Sequence, residues 1–202
     1  LLTIFFYAFV PLLIIYYLNN RYCLKLKWSF NVIVALVFFN LSDIIQSGNL
    51  FGENLKLQFI QIFMVFISQI FYLLEFRNEG AFLVDNIKLN PIKLIVSAVV
   101  VFVVSGFIFL NVEETYFYFL LMITSFELFI LIVFSFFRPI NRYSYNAGVF
   151  GVSLMFIAEA LFTFSYFIYK SIPIHVTSMI MYFVSQVFIV ESFVHSKRKI
   201  NI

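Results

Sequence analysis

The chain has 202 residues, 63% of them hydrophobic and only 11% charged, with a formal net charge of +3. A soluble domain carries about a quarter charged residues, so a water-soluble globule is excluded: 31 Phe alone exceed what such a core could hide. Cys23 is the single cysteine, and the two histidines, His175 and His195, fit no zinc-finger or H-E-x-x-H spacing, so no disulfide, metal site or cofactor is expected.

Apolar runs of about 20 residues match the helical length that crosses a hydrocarbon core of roughly 30 Å. They are continuous rather than alternating, which argues against an outer-membrane barrel. Breaks at charged, Pro and Asn residues predict an all-α polytopic transmembrane bundle, one domain over residues 1–202. Its seven spans are expected at 2–18, 29–48, 55–76, 92–110, 115–137, 146–169 and 173–194.

The first span contains Pro11, where a kink is expected. The second carries "LVFFNLSDIIQ" (36–46), which places Asp43 among apolar residues. Asn40 lies three residues earlier and Ser47 four later, so the polar groups share one helical face. A solvated position at the helix end is the structural alternative for Asp43, because Ser47, Gly48 and Asn49 soon follow. In the third span, Gln69 and Tyr72 share a face. The fourth opens after Pro91, a residue tolerated in a first turn. The fifth holds Glu127 one turn after Thr124, and the sixth holds Glu159 with Thr163 and Tyr166 at i+4 and i+7. The seventh opens at Pro173 and aligns His175, Met179, Tyr182 and Gln186 on one face.

An ionisable group within a span costs about 2.5–3.5 kcal/mol on insertion scales and marks function by default. Asp43 and Glu159 are therefore the candidate functional acids, with Glu127 a third. For Gln69 and Gln186 an interhelical hydrogen bond is the competing reading. His175 fits an interfacial role, and Glu75 and Glu191 read as boundary or ion-pair residues.

Charge sets the orientation. Eleven of the 13 basic residues fall on the face that receives the 19–28, 77–91 and 138–145 connections and the C-terminal tail. Lys56 and Lys170 occupy the other. The positive-inside rule places the C-terminus in the cytoplasm and residue 1 outside. A cytoplasmic native N-terminus would need one more helix, making eight. The tail "HSKRK" reads as an anchor at an anionic leaflet rather than a nucleic-acid contact.

The chain also echoes itself. "MVFISQIFYLLEF" (64–76) and "MYFVSQVFIVESF" (181–193) agree at six of thirteen positions, including Ser68–Gln69 and Ser185–Gln186. Asp43 precedes Gln69 by 26 residues, and Glu159 precedes Gln186 by 27. A helix pair, acid then Ser-Gln, is thus expected twice in parallel orientation. At about 1.5 Å per residue, both acids lie roughly 25 Å from the basic face. Two such acids in one low-dielectric pocket can divide into a protonated general acid and an ionised general base. Ion or proton relay uses the same ingredients.

At these residues the sequence resembles the YhhN family, whose animal members include lysoplasmalogenases. "LVFFNLSDIIQ" stands where the family shows a run like "LxFSLxGDxxL", and "FISQIFYLLEF" where it shows "AHxLYxxAF". "NAGVFGVSLMFIAEALFTF" and "MYFVSQVFIVESF" stand for the family's C-terminal "GALLFxxSDxLLA…YYLAQxLI", and "PLLIIYYL" is similar to its early "KPL" helix. The likeness runs from about residue 8 to 195. Glu159 replaces the family's Asp, Gln69 a His, and Ser42 the Gly before Asp43. The resemblance implies eight helices in the full chain, a bacterial inner membrane, and a lysophospholipid substrate cleaved at its vinyl ether bond. It implies Asp43 and Glu159 as the catalytic acids, with Asn40, Gln69, Tyr72, Tyr182 and Gln186 contacting substrate.

The rival expectation is a non-enzymatic transporter or lipid-binding receptor that uses the same acids as ligands. A rhodopsin-type photoreceptor is set aside, because residues 173–194 contain no Lys for a Schiff base.

Overall fold

The computed structural model describes residues 2–48, 54–81, 88, 90–111 and 115–196. Its described residues form helices and connections, with no strand. In chain order these are α1 (Leu2–Cys23), α2 (Phe30–Gly48), α3 (Leu55–Asn78), α4 (Pro91–Asn111), α5 (Thr115–Phe136), α6 (Arg142–Thr163) and α7 (Ile172–Val194). A π-helical turn, Phe164–Ile168, continues α6. Helices are the required solution, since an apolar surround leaves backbone groups no partner but their own segment.

Among the described residues six helices, α2 to α7, are long and apolar enough to cross a membrane, which suggests a multi-pass membrane protein. This corrects the expected seven. α1, 22 residues long, is not among these six. Residue 1, Asn49 and the basic tail Lys197–Lys199 lie outside the described residues.

Polar caps set several boundaries. Asn54 accepts from the Lys56 and Leu57 amides at 3.1 and 3.3 Å and starts α3. Asn141 accepts from the Ser144 amide at 2.9 Å, so α6 begins at Arg142, earlier than hydropathy alone indicates. Pro91 opens α4, and Pro173 lies in the first turn of α7.

The most intimate pairs are α6–α7 and α2–α3, the two pairs marked by the sequence echo. Gly151 permits the first: a Cβ there would lie 2.8 Å from the Ile189 amide nitrogen and 3.0 Å from the Ser185 carbonyl. The central core joins Tyr17, Phe39, Tyr72, Phe76, Met155 and Phe193, all buried.

The 24–29, 78–81 and 137–141 connections meet the C-terminal end of α7 at one end of the bundle, called here the basic end. Arg21 donates to the Phe193 and Ser196 carbonyls at 3.0 and 2.9 Å. Asn141 donates to the His195 carbonyl at 2.7 Å. Arg138 pairs with Glu79, donating from Nε at 2.7 Å, and its side chain is 0% exposed. Burial raises the Glu79 carboxyl above its ordinary pKa and lowers that of Arg138, while their mutual attraction opposes both shifts. The guanidinium also lies over the Phe76 ring at 4.3 Å and gives a third bond to Ser192 at 3.2 Å. Gly148 makes the room, since a Cβ there would fall 2.1 Å from Arg138 Nη1.

Candidate functional site

The candidate residues converge between α2, α3, α6 and α7, toward the end opposite the basic one. Apolar helices direct their few polar side chains inward, because lipid offers those groups no partner. Gln69 of α3 is fully buried and donates from Nε2 to Glu159 Oε1 of α6. Tyr72, one turn further along α3, donates to Gln186 Oε1 of α7 at 2.9 Å. Gln186 Nε2 in turn reaches the Met155 sulfur at 3.7 Å. Phe39 of α2 lies between Tyr72 and Tyr182, with ring centroids 5.6 and 5.4 Å away.

The two Ser-Gln pairs therefore do not serve matching roles. Ser68 donates across to the Ala35 carbonyl at 2.8 Å, whereas Ser185 bonds within its own helix to Tyr182. Gln69 holds the acid of the other helix pair, not Asp43, so the repeated units are cross-linked.

Asp43 is 1% exposed. Among the described residues its Oδ2 has no hydrogen-bond partner, and neither do Asn40 Oδ1, Gln69 Oε1 and the Tyr182 hydroxyl. The Tyr182 hydroxyl is an electrostatic neighbour of both Asp43 and Glu159.

A cavity of about 90 Å³ lies beside them, lined by Glu159 and Tyr182 and by Ser42, Gln46, Gln61, Thr124 and Ser178. Ile62, Val65, Phe162, Phe167, Met179 and Phe183 form its apolar wall. Asp43 is not on this wall; its neighbours Ser42 and Gln46 are. A second cavity of about 40 Å³, between α4, α5 and α6, shares Leu121, Thr124, Glu159 and Thr163 with the first. Glu159 thus stands on the partition between two cavities. One turn later Thr163 bonds the Glu159 carbonyl at 2.8 Å, and the π-helical turn begins. Such turns interrupt the regular ladder and frequently mark functional sites.

Asn40 is half-buried on α2, and its Oδ1 is without a hydrogen-bond partner among the described residues. Glu127 is buried with both oxygens unpartnered among the described residues, and it is an electrostatic neighbour of Glu159. His175 lies at the far end, its Nδ1 3.5 Å from Ser165 Oγ. Glu191 accepts from Tyr143 at 2.8 Å and meets His195 at 3.2 Å, the ion-pair role expected of it.

Gln46, Gln61, Ser42, Thr124 and Ser178 are cavity residues that the sequence reading did not select. Periodicity could have found two of them. Gln61 precedes Gln69 by two helical turns, and Gln46 follows Asp43 by one, which places each on its partner's face.

No protein-family model, no curated protein and no solved structure matches the chain.

Proposed function

We propose that the chain is a multi-pass membrane hydrolase of the lysoplasmalogenase type, acting on the vinyl ether bond of a lysoplasmalogen or related lysolipid. A cytoplasmic basic end in a bacterial inner membrane completes the proposal. The observation that carries it is the placement of Glu159 on the wall of a largely apolar cavity, with Asp43 buried on the neighbouring helix whose Ser42 and Gln46 line the same cavity.

The chemistry needs a proton donor, a base and exclusion of bulk water. One carboxyl, protonated, delivers its proton to the vinyl carbon distal to the ether oxygen, and positive charge develops at the oxygen-bearing carbon. The other carboxylate takes a proton from water as it attacks that carbon. The resulting hemiacetal collapses to a fatty aldehyde and a glycerophospho-alcohol. Glu159 lines the cavity and meets substrate; Asp43 acts from behind the wall, where Ser42 and Gln46 of its own helix line the same cavity. Gln69 fixes the Glu159 carboxylate, while Tyr72 and Gln186 hold the wall. The apolar wall of Ile62, Val65, Phe162 and Phe183 suits a hydrocarbon chain.

The test is fatty-aldehyde release from a lysoplasmalogen by the purified protein in nanodiscs, beside Asp43→Asn and Glu159→Gln. The proposal expects release by the wild type and its loss in both variants. Lipid bound at the cavity without aldehyde would overturn it in favour of a transporter or lipid-binding receptor.

A further inference from the structure

The basic end contains a third cavity, far from the acids just described and unused by the proposed reaction. It is about 640 Å³, much larger than the other two. One wall is the α1–α2 connection, with Arg21, Lys25, Lys27 and Trp28. The facing wall is the end of α3, with Glu75 and Glu79.

Each charged group on these walls has a distinct status. Arg21 is committed to structure, because its guanidinium is shared among the Lys27, Phe193 and Ser196 carbonyls. Lys25 and Lys27 are exposed and form no ion pair among the described residues. Lys25 also adopts φ 54°, a left-handed conformation uncommon for a residue with a side chain. Its amide bonds the Tyr22 carbonyl, and the next amide bonds the Arg21 carbonyl, so this turn holds the lysine at the cavity wall. Glycine would relieve the strain, yet a cation stands there.

Across the cavity, Ser29, Asn31 and Asn78 all donate to one oxygen of Glu75, Oε2. Its Oε1 takes none of these bonds. Glu79 gives Oε2 to Arg138, and the Ser196 hydroxyl also supports its carboxylate. The end of α3 adds the negative pole of a helix dipole to this wall.

Cations on one wall and carboxylates on the other reject a simple anion, which Glu75 would repel, and a simple cation, which the lysines would repel. They complement a dipolar group. Trp28, 57% exposed, supplies an indole face of the kind that attracts an ammonium. From this juxtaposition we infer that the cavity binds a zwitterionic phosphate–ammonium group, the phosphate at Lys25 and Lys27 and the ammonium at Glu75 and Trp28. That chemistry occurs in ethanolamine and choline phosphodiesters, either as lipid headgroups or as the free glycerophospho-alcohols.

Trp28 is the single tryptophan of the chain, so selectively excited tryptophan fluorescence reports from this site. The experiment titrates the purified full chain with glycerophosphoethanolamine, and separately compares nanodiscs of phosphatidylethanolamine and phosphatidylglycerol. A saturable change with the soluble compound supports the site and makes the free headgroup a ligand. A change confined to phosphatidylethanolamine nanodiscs supports it with the bilayer as source. Lys25→Gln and Lys27→Gln, both at exposed positions, are each expected to weaken the response at least fivefold. Glu75→Gln is expected to abolish the preference over phosphatidylglycerol. No response in either format, or an equal response to phosphatidylglycerol in the wild type, overturns the inference.

Discussion

The two ends of the bundle differ in how far their buried ionisable groups are paired. At the basic end, Arg138 is fully buried yet answered by Glu79, Ser192 and two aromatic rings. Glu191 is answered by Tyr16, Tyr143 and His195. Around Glu159, by contrast, Asp43, Glu127, Gln69 and Tyr182 all carry buried atoms with no partner among the described residues. A buried polar group without a partner costs stability, so one end is built to hold the helices together and the other carries polar capacity that folding does not use. The proposed site draws on that spare capacity.

The largest expected effect concerns function at the unsatisfied end. Asp43→Asn and Glu159→Gln should each lower aldehyde release by about 10²–10⁴-fold, the usual contribution of a positioned acid or base. The unfolding midpoint should hold or rise, because a neutral amide is less costly to bury than a carboxylate. Steady-state aldehyde assay and thermal unfolding of the same preparation check both halves.

The satisfied end should respond in reverse. Glu79→Gln strands the Arg138 guanidinium and should cost about 3–5 kcal/mol of stability, as when one partner of a buried pair is removed. Activity per folded molecule should survive. Denaturant unfolding in a defined detergent reads the loss.

Gly151→Ala sharpens the comparison through packing. Its Cβ would press on the Ile189 and Ser185 backbone, which cannot rotate away as a side chain would. A cost of about 1–3 kcal/mol is expected from overpacking, visible as a lower unfolding midpoint. Tyr72→Phe should have the smallest effect. It deletes one interhelical hydrogen bond, a class that averages about 0.6 kcal/mol in a membrane protein. A larger loss would mean that Gln186 depends on Tyr72 more than a single bond implies.

Helix positions were largely legible in the sequence, because continuous apolar runs leave the backbone no other structure. Boundaries set by side-chain caps were less so: Asn141 extends α6 upstream of its apolar run, and hydropathy is blind to that bond. Asp43, Gln69, Glu159 and Gln186 stood out as polar residues in apolar helices. Their partners did not. The echo suggested that each acid belongs with the Ser-Gln of its own helix pair, but Gln69 crosses to Glu159, since pairing across a bundle depends on helix rotation. Arg138 was hidden for a different reason. In sequence it is one more basic residue in a polar connection, and only the fold shows Gly148 opening a slot for it.

The central claim is that the unsatisfied end is kept for chemistry and the satisfied end for stability. Its most direct test measures unfolding and aldehyde release together for Glu159→Gln and Glu79→Gln. The account predicts that Glu159→Gln stays folded and inactive, while Glu79→Gln is destabilised and active where folded. A Glu159→Gln protein that unfolds as readily as Glu79→Gln, with release per folded molecule intact, would contradict it.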